Sequence, residues 1–137
     1  MTTISFTRDA YDAVVDHAHE GAPEEVCGVL GGTDGDAARV TTVRRAANVA
    51  ASPRTAYALD PGEQLAAMES IEAAGDDVVG FYHSHPDGPA GPSRTDAERA
   101  TWPGASYVIV VLDGAHPFVG SWRWTGDGFD GERVTRA

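Results

Sequence analysis

Residues 83 to 96 read His83-Ser-His85-Pro-Asp-Gly-Pro-Ala-Gly-Pro-Ser93-Arg-Thr-Asp96, and this stretch holds the side chains best suited to chemistry. On an extended strand successive side chains alternate between faces, so His83 and His85 point the same way and can bind one ion. Val78, Val79 and Phe81 precede them; the apolar run predicts a buried strand that emerges where the histidines begin. A loop rich in Pro and Gly then turns the chain back. Asp96, with ten residues between it and His85, falls at the start of a predicted helix and can supply a third, anionic ligand. Two imidazoles and one carboxylate form a three-ligand set of the kind used by catalytic zinc, with a fourth position left for water. Bound zinc lowers that water's pKa to about 7, which yields a hydroxide nucleophile at neutral pH. His17 and His19 share the His-x-His spacing but lie on a predicted helix, roughly 200° apart around its axis. They cannot share an ion and are expected at the surface.

Positioning that set takes a strand, a turn and a short helix. Asp77–His85 reads as the strand, and 86–92 as irregular loop, because its prolines and glycines leave few backbone donors. Thr95 is expected to cap a short helix from Asp96 to about Thr101. Elsewhere Arg8–Glu20 reads as a helix with Thr7 as N-cap and an apolar side made by Ala10, Val14 and Ala18. Glu25–Gly32 and Arg39–Val49 read as strands around a turn at 33–36. Residues 50–56 read as a loop, and Pro61–Ala74 as a second helix begun by Pro and stopped by Gly75. Tyr107–Leu112, Phe118–Trp124 and Phe129–Val134 are the closing strands. The reading is a single α/β domain over residues 1–137, without internal repeats.

Composition agrees with one folded domain. The chain has 137 residues, 42% of them hydrophobic, enough to build a core without metal or disulfide staples. Its one cysteine excludes an internal disulfide framework and a Cys-rich zinc knuckle. All ten basic residues are arginine, against 21 acidic ones, for a net charge of −11. Nucleic acid and anionic membrane both require a basic footprint, so neither is an expected partner. Acidity, absent lysine and Asp in excess over Glu together point to a salty cytoplasm, where a screening length of about 3 Å at 1 M salt makes such charge inexpensive. The opening residues are neither Arg-rich nor followed by a long apolar run, and Tyr107–Leu112 is too short to span a bilayer. A cytoplasmic location is expected.

Two separated motifs give the chain a family resemblance. His83-Ser-His85-Pro, followed by Ser93 and Asp96, resembles the signature of the JAMM (MPN-plus) metalloproteases, and Glu25-Val-Cys27-Gly28-Val-Leu30-Gly-Gly32 resembles its upstream half. The resemblance implies an MPN-type fold, a mixed β-sheet flanked by helices, with a zinc site at a strand end and the following loop and helix. It implies Zn²⁺ held by His83, His85 and Asp96. Glu25 would be the general base that takes a proton from the zinc-bound water and passes it to the leaving amine. Ser93 would donate a hydrogen bond to the tetrahedral oxyanion. Gly28 and Gly31 would let their strand pack close to the metal loop, and strand alternation would send Glu24 and Glu25 to opposite faces.

What the family does, taken with the salt-adapted composition, implies an isopeptidase that removes small ubiquitin-like archaeal modifiers from lysine conjugates and from linear fusions. The partners would be those modifiers and their conjugates, with the loops at 50–60 and 86–93 as walls of a groove for the modifier's Gly-Gly tail. A monomer is compatible with the sequence. Two other readings stay open: an amidase of the same chemistry acting on a sulfur-carrier protein's C-terminus, and a non-catalytic MPN scaffold. Cys27 shares a face with Glu25 but, flanked by Val and Gly, reads as a packing residue. Trp122 and Trp124 read as core or sheet edge.

Overall fold

The computed structural model describes residues 2–114 and 116–136. Its elements are β1 (Thr3–Phe6), α1 (Arg8–Gly21), β2 (Cys27–Thr33), β3 (Ala37–Ala46), α2 (Pro61–Ala73), β4 (Asp77–His85), α3 (Arg94–Arg99), β5 (Ser106–Val111), β6 (Phe118–Trp124) and β7 (Phe129–Arg136). The strands close into a barrel in the order β1-β3-β2-β4-β5-β6-β7. Pairings of β1 with β3, β1 with β7, and β4 with β5 are parallel and the others antiparallel, so the sheet is mixed and carries helices, as expected.

β4, antiparallel to β2 on one side and parallel to β5 on the other, is buried on both faces because each packs into its own apolar cluster. Its neighbours Phe81 and Tyr82 belong to different apolar clusters. Tyr82 packs in the one that receives Ala10, Val14 and Ala18 from α1, together with Ile4, Phe6 and Leu30. Phe81 packs in the other, with Val29, Tyr107, Trp124 and the α2 residues Ala67 and Ile71. Full burial of a side chain such as Ile71 is worth about 1.5–3 kcal/mol, so α1 and α2 are held mainly by their buried apolar residues. α1 also has the expected cap, with Thr7 accepting from the Ala10 N–H.

Several details depart from the sequence reading. β1, which the sequence reading did not assign, alternates polar and apolar residues over only four positions with Ile4 and Phe6 buried, and by pairing with both β3 and β7 it closes the barrel. β2 starts at Cys27, so Glu25 lies just before the strand and alternation does not decide its direction; Glu25 is nevertheless buried and Glu24 exposed. β3 ends at Ala46 rather than Val49, leaving Asn48 in an isolated bridge with Leu59. Ser93, not Thr95, caps α3, because the Ser93 hydroxyl accepts from the Asp96 N–H while the Asp96 carboxylate accepts from the Ser93 N–H. Reciprocal bonding satisfies two orphan donors at once, which Thr95, one residue inside the helix, cannot do. Gly28 and Gly31 do not serve the metal loop. A Cβ at Gly28 would strike the Tyr82 ring and the Arg44 carbonyl, and one at Gly31 would lie 2.8 Å from Ile71 Cγ2 of α2.

His17 is also not the surface residue expected. It is half-buried, and its Nδ1 lies 2.7 Å from the Tyr82 hydroxyl. Burial, reinforced by Arg45 and opposed by Glu20, lowers its pKa to about 4. An unfolded chain restores it to about 6.5, so between those values the unfolded state binds more protons. The stability that neutral His17 contributes is therefore full above about 6.5 and is lost as pH falls toward 4. Urea midpoints of wild type and His17→Asn across that window should converge as pH falls. Parallel curves would mean that His17 contributes nothing to the slope.

Candidate metal centre

His83 and His85 stand at the end of β4, 1% and 4% exposed, on the face shared with Phe81. Backbone pairing fixes them, with His83 opposite both Cys27 of β2 and Ile109 of β5. Beyond the strand the 86–92 loop folds back so that His85 Nδ1 lies 2.9 Å from the Pro89 carbonyl. A carbonyl only accepts, so Nδ1 carries the proton and Nε2 presents its lone pair to the interior. Asp96 arrives from the first turn of α3, where the capping box fixes its carboxylate.

The three candidate ligand atoms form a nearly equilateral triangle. His83 Nε2 and His85 Nε2 are 3.1 Å apart, and Asp96 Oδ2 is 3.2 Å from each. A tetrahedral metal at about 2.0–2.1 Å from each ligand requires ligand separations of about 3.3–3.4 Å, so the donor set fits. Such convergence of acceptor atoms is electrostatically costly unless a cation or a shared proton lies among them. Burial opposes ionisation of Asp96, but the imidazoles of His83 and His85 beside it hold its carboxyl well below the usual carboxylate range. Burial lowers the pKa of His83. It also opposes protonation of His85, but bonds to Asp96 and Pro89 outweigh it and raise that pKa.

Glu25 faces the same centre. Glu25, His83 and His85 each offer a ligand atom within 4.8 Å of the others. Oε1 of Glu25 is buried without a hydrogen-bond partner. An orphaned buried acceptor costs about 1–3 kcal/mol, which a water or ion in the centre would relieve. Burial, with a smaller contribution from Asp96 and opposition from His85, raises the Glu25 pKa to about 7. A cleft of about 220 Å³ opens here, with Glu25, His85 and Ser93 exposed to it between walls formed by Arg54–Thr55 and by Asp87–Pro89. The two loops expected to wall a groove thus do flank the centre. Ser93 Oγ accepts the capping bond from Asp96, which leaves its hydroxyl proton free to donate.

Three supporting residues were given no role in the sequence reading. The Tyr57 ring stacks on His83 with centroids 4.0 Å apart and planes 18° from parallel. Ser84, between the histidines, accepts from the Val26 N–H at 2.9 Å and donates its own N–H to the Val26 carbonyl at 3.0 Å, tying residue 26 to the ligand strand. Asn48 binds the Glu25 carbonyl at 2.8 Å. Ser84 stands inside the His83-Ser-His85-Pro motif, though its bonds to Val26 depend on the fold; Tyr57 and Asn48 lie in a loop whose course is set by tertiary contacts. Cys27 is fully buried, its thiol beside the carbonyls of Ala46 and Ala47, and burial followed by Glu25 pushes its pKa up to about 12. It packs and does not ionise. Trp124 joins the core, while Trp122 lies across Gly120.

Comparison with known proteins places this geometry in context. Residues 7–125 match the family described as prokaryotic homologs of the JAB domain. A desampylase of Haloferax volcanii is 53% identical over 133 residues, covering 92% of this chain and 91% of the relative. The CysO-cysteine peptidase of Mycobacterium tuberculosis is 43% identical over 108 residues, 79% of this chain and 73% of the relative. The solution structure of a protein from Desulfitobacterium hafniense superposes with a TM-score of 0.88 at 35% identity, covering 98% of this chain and 92% of that one.

Proposed function

The chain belongs to the JAB-domain family, and from that membership we propose that it is a zinc-dependent isopeptidase, one domain over residues 1–137, that removes ubiquitin-like small archaeal modifiers from lysine conjugates. The observation that carries the reading is the triangle of His83, His85 and Asp96 beside the unpartnered carboxylate oxygen of Glu25. Kinship with the Haloferax desampylase supports the substrate class.

In this reading His83, His85 and Asp96 would hold the zinc, which would supply Lewis-acid activation of water and of an amide carbonyl. Glu25 accepts a proton from the attacking water at its carboxylate and delivers it to the amine nitrogen as the carbon–nitrogen bond breaks. Ser93 donates its free hydroxyl proton to the oxygen on which charge develops. The Pro89 carbonyl keeps His85 in its metal-binding tautomer, and Tyr57 covers one face of His83. The products are the modifier's C-terminal carboxylate and a free lysine amine. Incubation with a defined isopeptide conjugate in high salt should yield both; the reading fails if the zinc-loaded protein leaves the conjugate whole.

A second reading, hydrolysis of an amide at a sulfur-carrier protein's C-terminus, is favoured by the 43% identity to the CysO-cysteine peptidase. Assay of both substrates with one preparation separates the two. We place the enzyme in a salty cytoplasm on its charge of −11 without lysine; no helix among the described residues is long and apolar enough to cross a membrane. Its melting temperature should climb from dilute buffer to multi-molar KCl as self-repulsion is screened. A flat or falling trend would reject salt adaptation.

A further inference from the structure

Glu25 precedes β2, so no strand ladder holds its peptide group. Two contacts with the 48–58 loop do so instead: its N–H donates to the Pro53 carbonyl at 2.7 Å, and its carbonyl accepts from Asn48 Nδ2 at 2.8 Å. The same Nδ2 donates to the Ala56 carbonyl at 3.0 Å, and Asn48 Oδ1 accepts from the N–H groups of Ala50 and Ala58, each at 3.0 Å. A carboxamide has two donor hydrogens and two acceptor lone pairs. Asn48 spends all four on main chain. Backbone bonds close the loop behind it, with Asn48 bridged to Leu59 and the Val49 N–H donating to the Ala58 carbonyl at 2.8 Å. This loop carries Tyr57 over His83. The chain at Glu25 and Val26 is therefore gripped from two sides, by Ser84 of the ligand strand and by Asn48.

We propose that Asn48 is a positioning residue for Glu25, its carboxamide setting how far the general base stands from the metal ligands. The inference rests on the reading of Glu25 as that base. Asp has the same size as Asn but no donors. In Asn48→Asp a carboxylate oxygen would face the carbonyls of Glu25 and Ala56, acceptor against acceptor, while the bonds from Ala50 and Ala58 persist. The substitution thus releases the Glu25 side of the clamp and keeps the loop side.

The test uses zinc-loaded Asn48→Asp and an isopeptide conjugate. Loss of an outer partner of this kind costs about 10–100-fold, expected here in kcat, with KM and zinc per chain close to wild type. Because Asn48 acts through Glu25, single-turnover rates should show no further loss when Asn48→Asp is added to Glu25→Gln. Amide exchange in the metal-free protein supplies a readout that needs no substrate: the Glu25 amide should exchange faster while those of Ala50 and Ala58 stay protected. Wild-type kcat, an equal fractional loss in the Glu25→Gln background, or unchanged Glu25 protection would each overturn the inference. If wild type itself leaves the conjugate uncut, the isopeptidase reading falls, and the exchange arm still decides the clamp. Should Asn48→Asp not fold, Asn48→Ser, which also breaks the double donation but loses the bonds from Ala50 and Ala58 as well, is read by kcat, the Glu25→Gln double variant and Glu25 exchange alone.

Discussion

Glu25→Gln should lower turnover by about 10²–10⁴-fold, the usual worth of a positioned general base, while zinc content stays at the wild-type level. Gln is nearly isosteric, so the chain at residues 25 and 26 should keep its bonds to Pro53, Asn48 and Ser84. The three ligand atoms belong to β4 and α3, not to the Glu25 segment, and should keep their places. What the amide cannot do is accept the proton from water and return it to the leaving amine. Measured kcat against metal per chain separates these effects. Turnover at the wild-type rate would remove Glu25 from the chemistry, and loss of zinc along with rate would make it a ligand rather than a base.

His85→Ala should fail on both counts, with bound zinc and isopeptide cleavage falling together to background. The imidazole supplies one corner of the triangle, and its Nδ1 contact with Pro89 also holds the 86–92 loop. Two corners remain, His83 and Asp96, one fewer than the three protein ligands of a catalytic zinc site. Metal that binds the folded state raises its stability by about 2.7 kcal/mol at a hundredfold excess over the dissociation constant. Zinc should therefore raise the melting temperature of wild type and leave that of His85→Ala unmoved. Equal shifts in the two proteins would place the metal elsewhere, and retained cleavage would refute the ligand set.

The parts of this site that could be read from the sequence are those in which local rules and tertiary needs agree. β4 was legible to its ends because an apolar run and a Pro/Gly loop bracket it, and strand alternation then put both histidines on one face. Asp96 was legible by its spacing, and Thr7 by its side-chain oxygen ahead of an apolar helix. Where a tertiary partner decides the outcome, the reading stopped short. The four residues of β1 take their register from β3 and β7. His17 is drawn inward by Tyr82, sixty-five residues away. Ser93 displaced Thr95 as the cap because Asp96, three residues on, could reciprocate. Tyr57 and Asn48 lie in a stretch without periodicity, where only contacts with His83 and Glu25 give them a purpose. The motifs point to the groups proposed for the chemistry, and the structure adds what holds them in place.

Crystals grown with ample zinc and measured across the zinc absorption edge would probe the central claim most directly. The account predicts one anomalous peak per chain at about 2.0–2.1 Å from His83 Nε2, His85 Nε2 and Asp96 Oδ2, with Glu25 close by but outside bonding distance. An empty triangle, or a peak held by other side chains, would contradict it.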